Sequence, residues 1–370
     1  MNKLWEYKKI GDVCIVERGS SPRPIDKFIT NDKNGINWIK IGDTSDSMYI
    51  TETAQKIVPE GMRKSRYVKP GDFLLSNSMS FGHPYILKID GCIHDGWLLL
   101  RDEEGIFDKR FLYYYLSSKT TYEKLKSMAV GGVVNNLNSE MVRKMQVPVL
   151  SKKKQSEIAD LLDKLKKVLN ERKKEIQYLD ELIKARFVEM FGTYPANEKG
   201  WNTGNIRDIV SEVRYGSSRP AVDGGRYPYL RMNNITYDGE LDLSDTKRID
   251  VPDNELEKCT VRRGDVLFNR TNSKELVGKT CVYNRDEMMV LAGFVIRVRV
   301  NDEVLPEFLS AFLNTDFSKK MLLGMCKTAI GQANINAQEL QNICLYVPPI
   351  DLQQQFIDFK KQLDKSKVVA

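Results

Sequence analysis

The stretch Ser151–Phe191 reads SKKKQSEIADLLDKLKKVLNERKKEIQYLDELIKARFVEMF. Its apolar residues recur by fours and threes: Ile158, Leu162, Leu165 and Leu169, then Ile176, Leu179, Ile183 and Met190. That is a heptad seam, interrupted by Arg172 and Arg186, and it predicts one long amphipathic helix. Lys152, Lys153 and Lys154 open it. Gly192, with Pro195 soon after, closes it as helix C-termini usually close. Such a helix spans ~60 Å, longer than a small domain is wide. It cannot bury its seam alone, so it calls for a partner helix.

Working outward, the two flanks read as one domain written twice. The first copy opens with Trp5, then Ile10-Gly11-Asp12-Val13 and Gly19-Ser20-Ser21-Pro22-Arg23. The second opens with Trp201, then Ile206-Arg207-Asp208-Ile209 and Gly216-Ser217-Ser218-Arg219. Each continues with a short apolar strand, Ile36–Ile41 and Tyr227–Met232. A turn and buried strand follow in both: Lys69-Pro70-Gly71-Asp72-Phe73-Leu74-Leu75 and Arg262-Arg263-Gly264-Asp265-Val266-Leu267-Phe268. Phe111–Leu116 corresponds to Phe308–Leu313, each predicted as a short helix. Both copies end on a strand closing in Val-Pro (Val147-Pro148, Val347-Pro348) and a helix start bearing glutamine, Gln155 in one and Gln353-Gln354-Gln355 in the other. The second helix has its own seam of Leu352, Phe356, Phe359 and Leu363, and stops at Ala370 after about five turns. The repeat places domains at 1–150 and 193–350, a spacer helix at 151–192 and a shorter helix at 351–370. It predicts antiparallel pairing of the two helices and a pseudo-two-fold arrangement of α/β domains with largely antiparallel or mixed sheets.

Composition narrows the class. The 370 residues are 41% hydrophobic, enough for real cores, and carry a net charge of +7, which suits a nucleic-acid partner. No apolar run is long enough to span a bilayer, and the polar start Met1–Ile10 is no signal peptide. Six scattered cysteines without Cys-x-x-Cys spacing read as buried free thiols, and the expected location is cytoplasmic.

The duplicated order of these elements, with Leu75-Ser76-Asn77-Ser78-Met79-Ser80-Phe81-Gly82, Gly331-Gln332-Ala333-Asn334-Ile335-Asn336 and the Val-Pro-to-Gln helix starts, resembles the specificity subunit of type I restriction–modification enzymes over essentially the whole chain. The resemblance implies two target recognition domains, each reading one half of a split double-stranded DNA site, with long helices as ruler between them. It implies no catalytic centre. The partners it implies are two adenine-methylation subunits and two restriction and translocation subunits. S-adenosylmethionine, ATP and magnesium would belong to those partners, so no cofactor is expected in this chain. The short second helix leaves an alternative: a truncated or silent copy acting only as an oligomerising interaction protein.

The sequence holds little that resembles catalytic chemistry. Val277-Gly278-Lys279-Thr280 resembles the end of a phosphate loop, but the glycine needed five residues before Gly278 is Ser273. Pro252, Asp253, Glu255, Glu257 and Lys258 crowd into one polar segment and read as a solvated loop rather than a metal site. His83 and His94 have no ligand partners at zinc spacing, and His94 reads as a turn residue.

Base reading needs Asn, Gln, Ser and Arg on loops held by a rigid core. The loops with that chemistry are Ser20, Ser21 and Arg23; Asn77 and Ser78; Asn135 and Asn136; Ser217, Ser218 and Arg219; Asn269, Arg270 and Asn272; and Gln332 and Asn334. What both copies share serves the fold, whereas specificity must differ between them. On that reasoning Arg231, Asn233, Asn234, Arg270 and Lys274, without a plain match in the first copy, are base-reading candidates in the second. In the first, Lys40, Asp43 and Arg66 are comparable candidates. The mixed charge of Lys164, Lys166, Lys167, Asp160 and Asp163 predicts a helix surface for partner subunits rather than a DNA stripe.

Overall fold

The computed structural model describes residues 5–77, 81–129, 136–329 and 332–369. The chain forms two compact units, Met1–Asn170 and Glu171–Ala370, and the boundary falls inside one helix, Lys152–Phe191.

In the first unit, strands Ile15–Arg18, Trp97–Arg101, Phe73–Ser76 and Pro84–Leu87 pair antiparallel in that order, and Tyr49–Ile50 adds a parallel edge. A second sheet runs Ile29–Thr30, Gln55–Ile57, Ile36–Ile39, Gly91–Ile93 and Arg66–Val68, with one parallel pair at Cys92↔Trp38. In the second unit, Val210–Tyr215, Val295–Val300, Val266–Asn269 and Thr280–Val282 repeat the first sheet. Lys247–Ile249, Tyr227–Leu230, Met289–Leu291 and Thr260–Val261 repeat the second, parallel pair included, at Tyr229↔Val290. The sequence repeat is therefore a repeat of topology. A short antiparallel pair closes each unit: Glu6–Lys9 on Gln146–Val149, and Asn202–Asn205 on Cys344–Val347.

The central strands are mostly apolar because both faces of the first sheet are covered. Phe73, Leu75, Leu98 and Leu100 face the helix Lys109–Ser117, while Leu74, Trp97 and Leu99 face Ile39, Val68 and Ile93 of the second sheet. Side chains alternate across a strand, so one strand feeds two cores. In the second unit Val266 and Phe268 join Phe308 and Phe312 on one side, and Leu267 joins Leu230 and Leu291 on the other.

Two duplicated polar devices hold this frame. The Gly-Asp turn places Gly71 at φ 92° and Gly264 at φ 90°, the left-handed region glycine adopts without strain. The aspartate that follows is buried. Asp72 accepts the Lys69 N–H (2.9 Å) and two bonds from Arg101 (2.8 and 2.6 Å). Asp265 accepts the Arg262 N–H (2.8 Å) and two bonds from Arg299 (2.8 and 3.4 Å).

The second device is the helix-start glutamine, fully buried in both copies. Gln155 accepts from the Asp108 N–H at 2.8 Å and donates to the carbonyls of Ile106 (3.0 Å) and Leu150 (2.8 Å). Gln353 does the same with the Leu305 N–H (2.8 Å) and the carbonyls of Glu303 (3.1 Å) and Pro348 (2.8 Å). Each amide pins the start of its long helix to the start of the short helix on the sheet. Gln353→Ala removes the partner of one buried and two partly buried backbone groups, and about 2–3 kcal/mol of stability should be lost in a urea titration. A loss under about 0.5 kcal/mol would mean that water replaces the amide.

The long helix departs from the expected seam. Ile158 packs on the first core beside buried Ala159, but Leu165 and Leu169 are 50% and 61% exposed, and Leu162, Ile176 and Leu179 are half-buried. Toward its C-terminus the buried residues are Ile183, Phe187 and Phe191, with Met190 partly covered. There the helix lies on a globular core and presents a stripe of period 3.6 rather than a strict heptad. The C-terminal helix, Ile350–Val369, packs on this segment, with Phe356 buried and Leu352 and Leu363 at the margin. Phe187 meets Phe356 (5.2 Å between centroids), the Arg186 guanidinium lies over Phe359, and Lys367 pairs with Asp180 at 2.6 Å. Contacts rising along one helix fall along the other, so within the second unit the pairing is antiparallel. Among the described residues no helix is long and apolar enough to cross a membrane. Cys14, Cys92, Cys259 and Cys281 are buried as expected, Cys326 is half-buried, and Cys344 is exposed because it lies on the outer face of an edge strand.

Candidate nucleic-acid interface

In each unit the candidate loops converge at the end of the first sheet. In the first unit the hub is Asp95. Its carboxylate accepts from Ser21 Oγ (3.0 Å) and from an Arg23 Nη (3.3 Å), and lies 2.9 Å from His94 Nε2. Its main-chain carbonyl accepts from Asn77 Nδ2 (2.9 Å) and Arg18 Nε (3.2 Å). Burial pushes the Asp95 carboxyl up, but His94, the Ser21 hydroxyl and Arg23 outweigh it and hold the group below the usual range. His94 is a turn residue as read, its Nδ1 accepting the Gly96 N–H at 2.9 Å. The Leu137 N–H donates to the Asn77 carbonyl at 3.1 Å, which brings exposed Asn136 to the same edge.

In the second unit the Ser217–Arg219 loop lies on Leu291–Gly293, with the Ser217 N–H on the Leu291 carbonyl (2.7 Å) and the Gly293 N–H on the Ser217 carbonyl (2.7 Å). The glycine before each serine pair is obligatory: a Cβ on Gly19 would fall 2.2 Å from the His94 carbonyl oxygen, and one on Gly216 2.2 Å from that of Leu291. A small sheet of Thr271–Asn272, Gln332–Asn334 and Lys327–Ala329 adjoins this loop in sequence order after Arg270. The Arg270 guanidinium lies 4.8 Å from the centroid of the Tyr215 ring, and the Tyr215 hydroxyl accepts the Ala337 N–H at 2.8 Å.

The sheet register makes Asn77 and Arg270 counterparts in the two units. Both stand five residues after the buried turn aspartate. Each donates its N–H across the strand end, Asn77 to Gly96 and Arg270 to Phe294 (3.0 Å each). Each accepts at its carbonyl, from Leu137 and Ile335. One backbone position thus carries an amide in one unit and a guanidinium in the other.

Not every candidate reaches the surface. Asn77 and Asn269 are buried, with Asn269 Nδ2 donating to the Leu276 carbonyl (3.3 Å). Asn234 is also buried and caps its own turn, accepting the Arg231 N–H (2.8 Å) and donating to the carbonyls of Asp242 and Asp245. Lys40 and Asp43 make the same capping turn in the first unit, so Arg231 to Asn234 do have a match there. Lys40 Nζ donates to Gln55 (2.8 Å), Ser20 Oγ to the Lys64 carbonyl (3.2 Å), and Arg66 pairs with Glu17. Arg219 is held by both oxygens of Glu255 (3.1 and 2.8 Å), and Arg231 pairs with Asp245 (3.0 Å). The Arg219 hydrogen bonds hold the Glu255 carboxyl below its usual range. Asn334 Oδ1 accepts the Thr271 hydroxyl (2.7 Å) and Asn272 Oδ1 the Ser273 N–H (2.8 Å). Ser218 and Asn233 are exposed. Ser78, Asn135 and the Gln332 side chain lie outside the described residues.

Sequence reading missed Asp95, Tyr215 and Phe294. Tyr215 and Phe294 are 43% and 53% exposed beside Arg270, and an aromatic directly before the Gly-Ser-Ser loop was the available signal for Tyr215. Asp95 carried none, since its role depends on a loop 74 residues away. Elsewhere, Lys279 is buried, and its Nζ donates to the carbonyls of Met232 (2.9 Å) and Ile235 (2.5 Å), a structural strut rather than a phosphate ligand. Asp253–Cys259 is a helix, not a loop, and its Asp253 and Glu255 pair with Arg226 and Arg219. Among the described residues no group of His, Cys, Asp and Glu is arranged to hold a metal.

Known proteins are similar to this chain. The specificity subunit of the Escherichia coli K12 type I restriction enzyme EcoKI is 24% identical over 281 residues, covering 72% of this chain and 60% of that protein. The MjaIX specificity subunit of Methanocaldococcus jannaschii is 25% identical over 66% of this chain and 61% of its own length. The alignments thus span about three-fifths of these relatives. A chain solved in a study of type I restriction–modification assembly shares the fold, with a TM-score of 0.61 at 16% identity over 99% of this chain and 91% of its own. The family described as the type I restriction modification DNA specificity domain matches twice, over residues 2–178 and 198–368. With that double match on a duplicated frame, the chain belongs to the type I restriction–modification DNA specificity family.

Proposed function

We propose that this chain is the non-catalytic sequence-reading subunit of a type I restriction–modification complex. Each unit reads one half of a bipartite, asymmetric double-stranded DNA site. Two adenine-methylation subunits and two restriction subunits, acting in the cytoplasm, bring S-adenosylmethionine, ATP and magnesium chemistry to that site. The observation that carries this reading is the loop cluster built twice on one frame, with Asn77 and Arg270 at the same backbone position. Equal frames with unequal side chains are what two different half-sites require. The exposed Leu161, Leu165, Val168 and Leu169 form an apolar helix stripe suited to partner subunits.

A map of N6-methyladenine in cells carrying this chain with its methylation subunit, against cells lacking it, tests the proposal. A split asymmetric motif that vanishes on deletion supports it, and an unchanged methylome overturns it. In this reading Lys152–Phe191 sets the number of unread base pairs. Four residues inserted after Asn170 lengthen the helix by ~6 Å, and the unread spacer should grow by about one or two base pairs. An unchanged spacer length would refute the ruler role.

A further inference from the structure

A cavity of about 250 Å³ opens in the second unit between the C-terminal part of the long helix, the C-terminal helix and the Tyr237–Glu240 loop. Five lysines line it, and three of them are ion-paired. Lys184 faces Asp316 at 3.7 Å, Lys360 faces Glu240 (2.9 Å) and Asp364 (2.8 Å), and Lys367 faces Asp180 (2.6 Å) and Asp364 (2.8 Å). Lys361 lies exposed at the rim. Lys319 differs from all four. It is half-buried, its Nζ donates to the Gly278 carbonyl at 2.8 Å, and it lies 5.7 Å from the centroid of the Tyr237 ring. It has no carboxylate partner among the described residues.

An ion-paired ammonium holds its proton and has no lone pair to give. A lysine withdrawn from water beside other cations is the opposite case, an amine free to attack carbonyl carbon. We propose that Lys319 is an amine-acylation site, modified by small activated acyl donors of the acyl phosphate class that enter this cavity. The deprotonated Nζ attacks the carbonyl carbon of the donor. The N–C bond forms and the C–O bond to phosphate breaks. Phosphate leaves with the electron pair and takes the proton released from nitrogen, and the product is an uncharged amide within the cavity.

The surroundings fit this chemistry. Burial, Lys184 on the long helix and Lys279 just before the strand Thr280–Val282 all disfavour the ammonium, and they bring Lys319 down to about 8 against the opposing pull of Asp238. Asp316 of its own helix is engaged with Lys184, and Glu307 faces the cavity from the helix Pro306–Asn314. This inference does not depend on DNA reading.

The test treats the full chain with acetyl phosphate at about pH 7.5 and follows each lysine by peptide mass spectrometry. About one part in a thousand of an ordinary lysine amine is free at that pH, against roughly a quarter for one near 8. After allowance for its lower basicity, Lys319 should react about tenfold faster than Lys361 and Lys320. That advantage should fall to unity near pH 9, reverse by about pH 10.5 where both amines are largely free and the less basic one is slower, and vanish in urea. Lys319→Arg should remove the fast phase and leave Lys361 unchanged. Lys319 reacting no faster than Lys361 at about pH 7.5, or a rate ratio flat with pH, overturns the assignment.

Discussion

Asp72→Ala is expected to destabilise the first unit by about 3–5 kcal/mol, the effect of breaking a buried ion pair from one side. Asp72 and Arg101 are 3% and 19% exposed at the side chain, and two bonds of 2.8 and 2.6 Å join them. Without the carboxylate, Arg101 keeps only the Tyr67 carbonyl at 3.4 Å, and the Lys69 N–H loses its acceptor. The second unit makes the comparison informative. Arg299, freed by Asp265→Ala, still holds Glu212 at 2.6 Å, so that substitution should cost less, about 2–3 kcal/mol. Urea titration with a probe in each unit measures both, the trough in midpoint appearing in the mutated unit alone. Adding Arg101→Met to Asp72→Ala should restore part of the loss, since the stranded charge is gone. A cost below about 1 kcal/mol for Asp72→Ala would show that water enters the turn and solvates Arg101.

These turn aspartates show what the sequence made legible. The Gly-Asp-strand unit was readable as turn and buried strand because the reasons are local: a glycine with positive φ and an apolar run. Its partner arginines were not, because Arg101 and Arg299 stand 29 and 34 residues away and only strand pairing brings them back. The same division explains the candidate interface. Loops rich in Ser, Asn and Arg were recognisable, and they do converge at matching sheet ends. Which of their side chains stay free was not recognisable, because Glu255, Asp245 and Asp95 reach them from other elements. Residue type also misled at Arg270, read as having no plain match in the first copy, where the hydrogen-bond register makes it the counterpart of Asn77. The helix seam erred for a related reason. A heptad pattern assumes a helical partner along its whole length, but Phe187 and Phe191 turn toward Phe308 and Phe356 of a mixed core.

Arg270→Ala is expected to weaken binding of the cognate DNA by about 10- to 100-fold, roughly 1–3 kcal/mol, and to relax one position of one half-site. Several properties single out this residue in the second unit. Its backbone is fixed on both sides, by the Phe294 carbonyl and the Ile335 N–H. Its guanidinium rests over Tyr215, which orients it without neutralising it. No carboxylate pairs with it among the described residues, whereas Arg219 and Arg231 must each leave an acidic partner before they can meet DNA. The equivalent position in the first unit holds Asn77, turned inward to the Asp95 carbonyl, so the two units cannot read alike there. Arg219→Ala, which frees Glu255 beside the same loop, should produce a loss that does not depend on base identity. Thermal stability should move by less than about 0.5 kcal/mol in Arg270→Ala, because the side chain supports no core contact. Competition binding against single-base variants of the site separates the roles. A guanidinium on a base edge gives a loss confined to one position. One on a phosphate weakens all sequences alike and lowers the salt slope by about one. Unchanged affinity and unchanged specificity together would remove Arg270 from the interface and leave Ser218, Asn233 and Asn272 to carry the reading of that half-site.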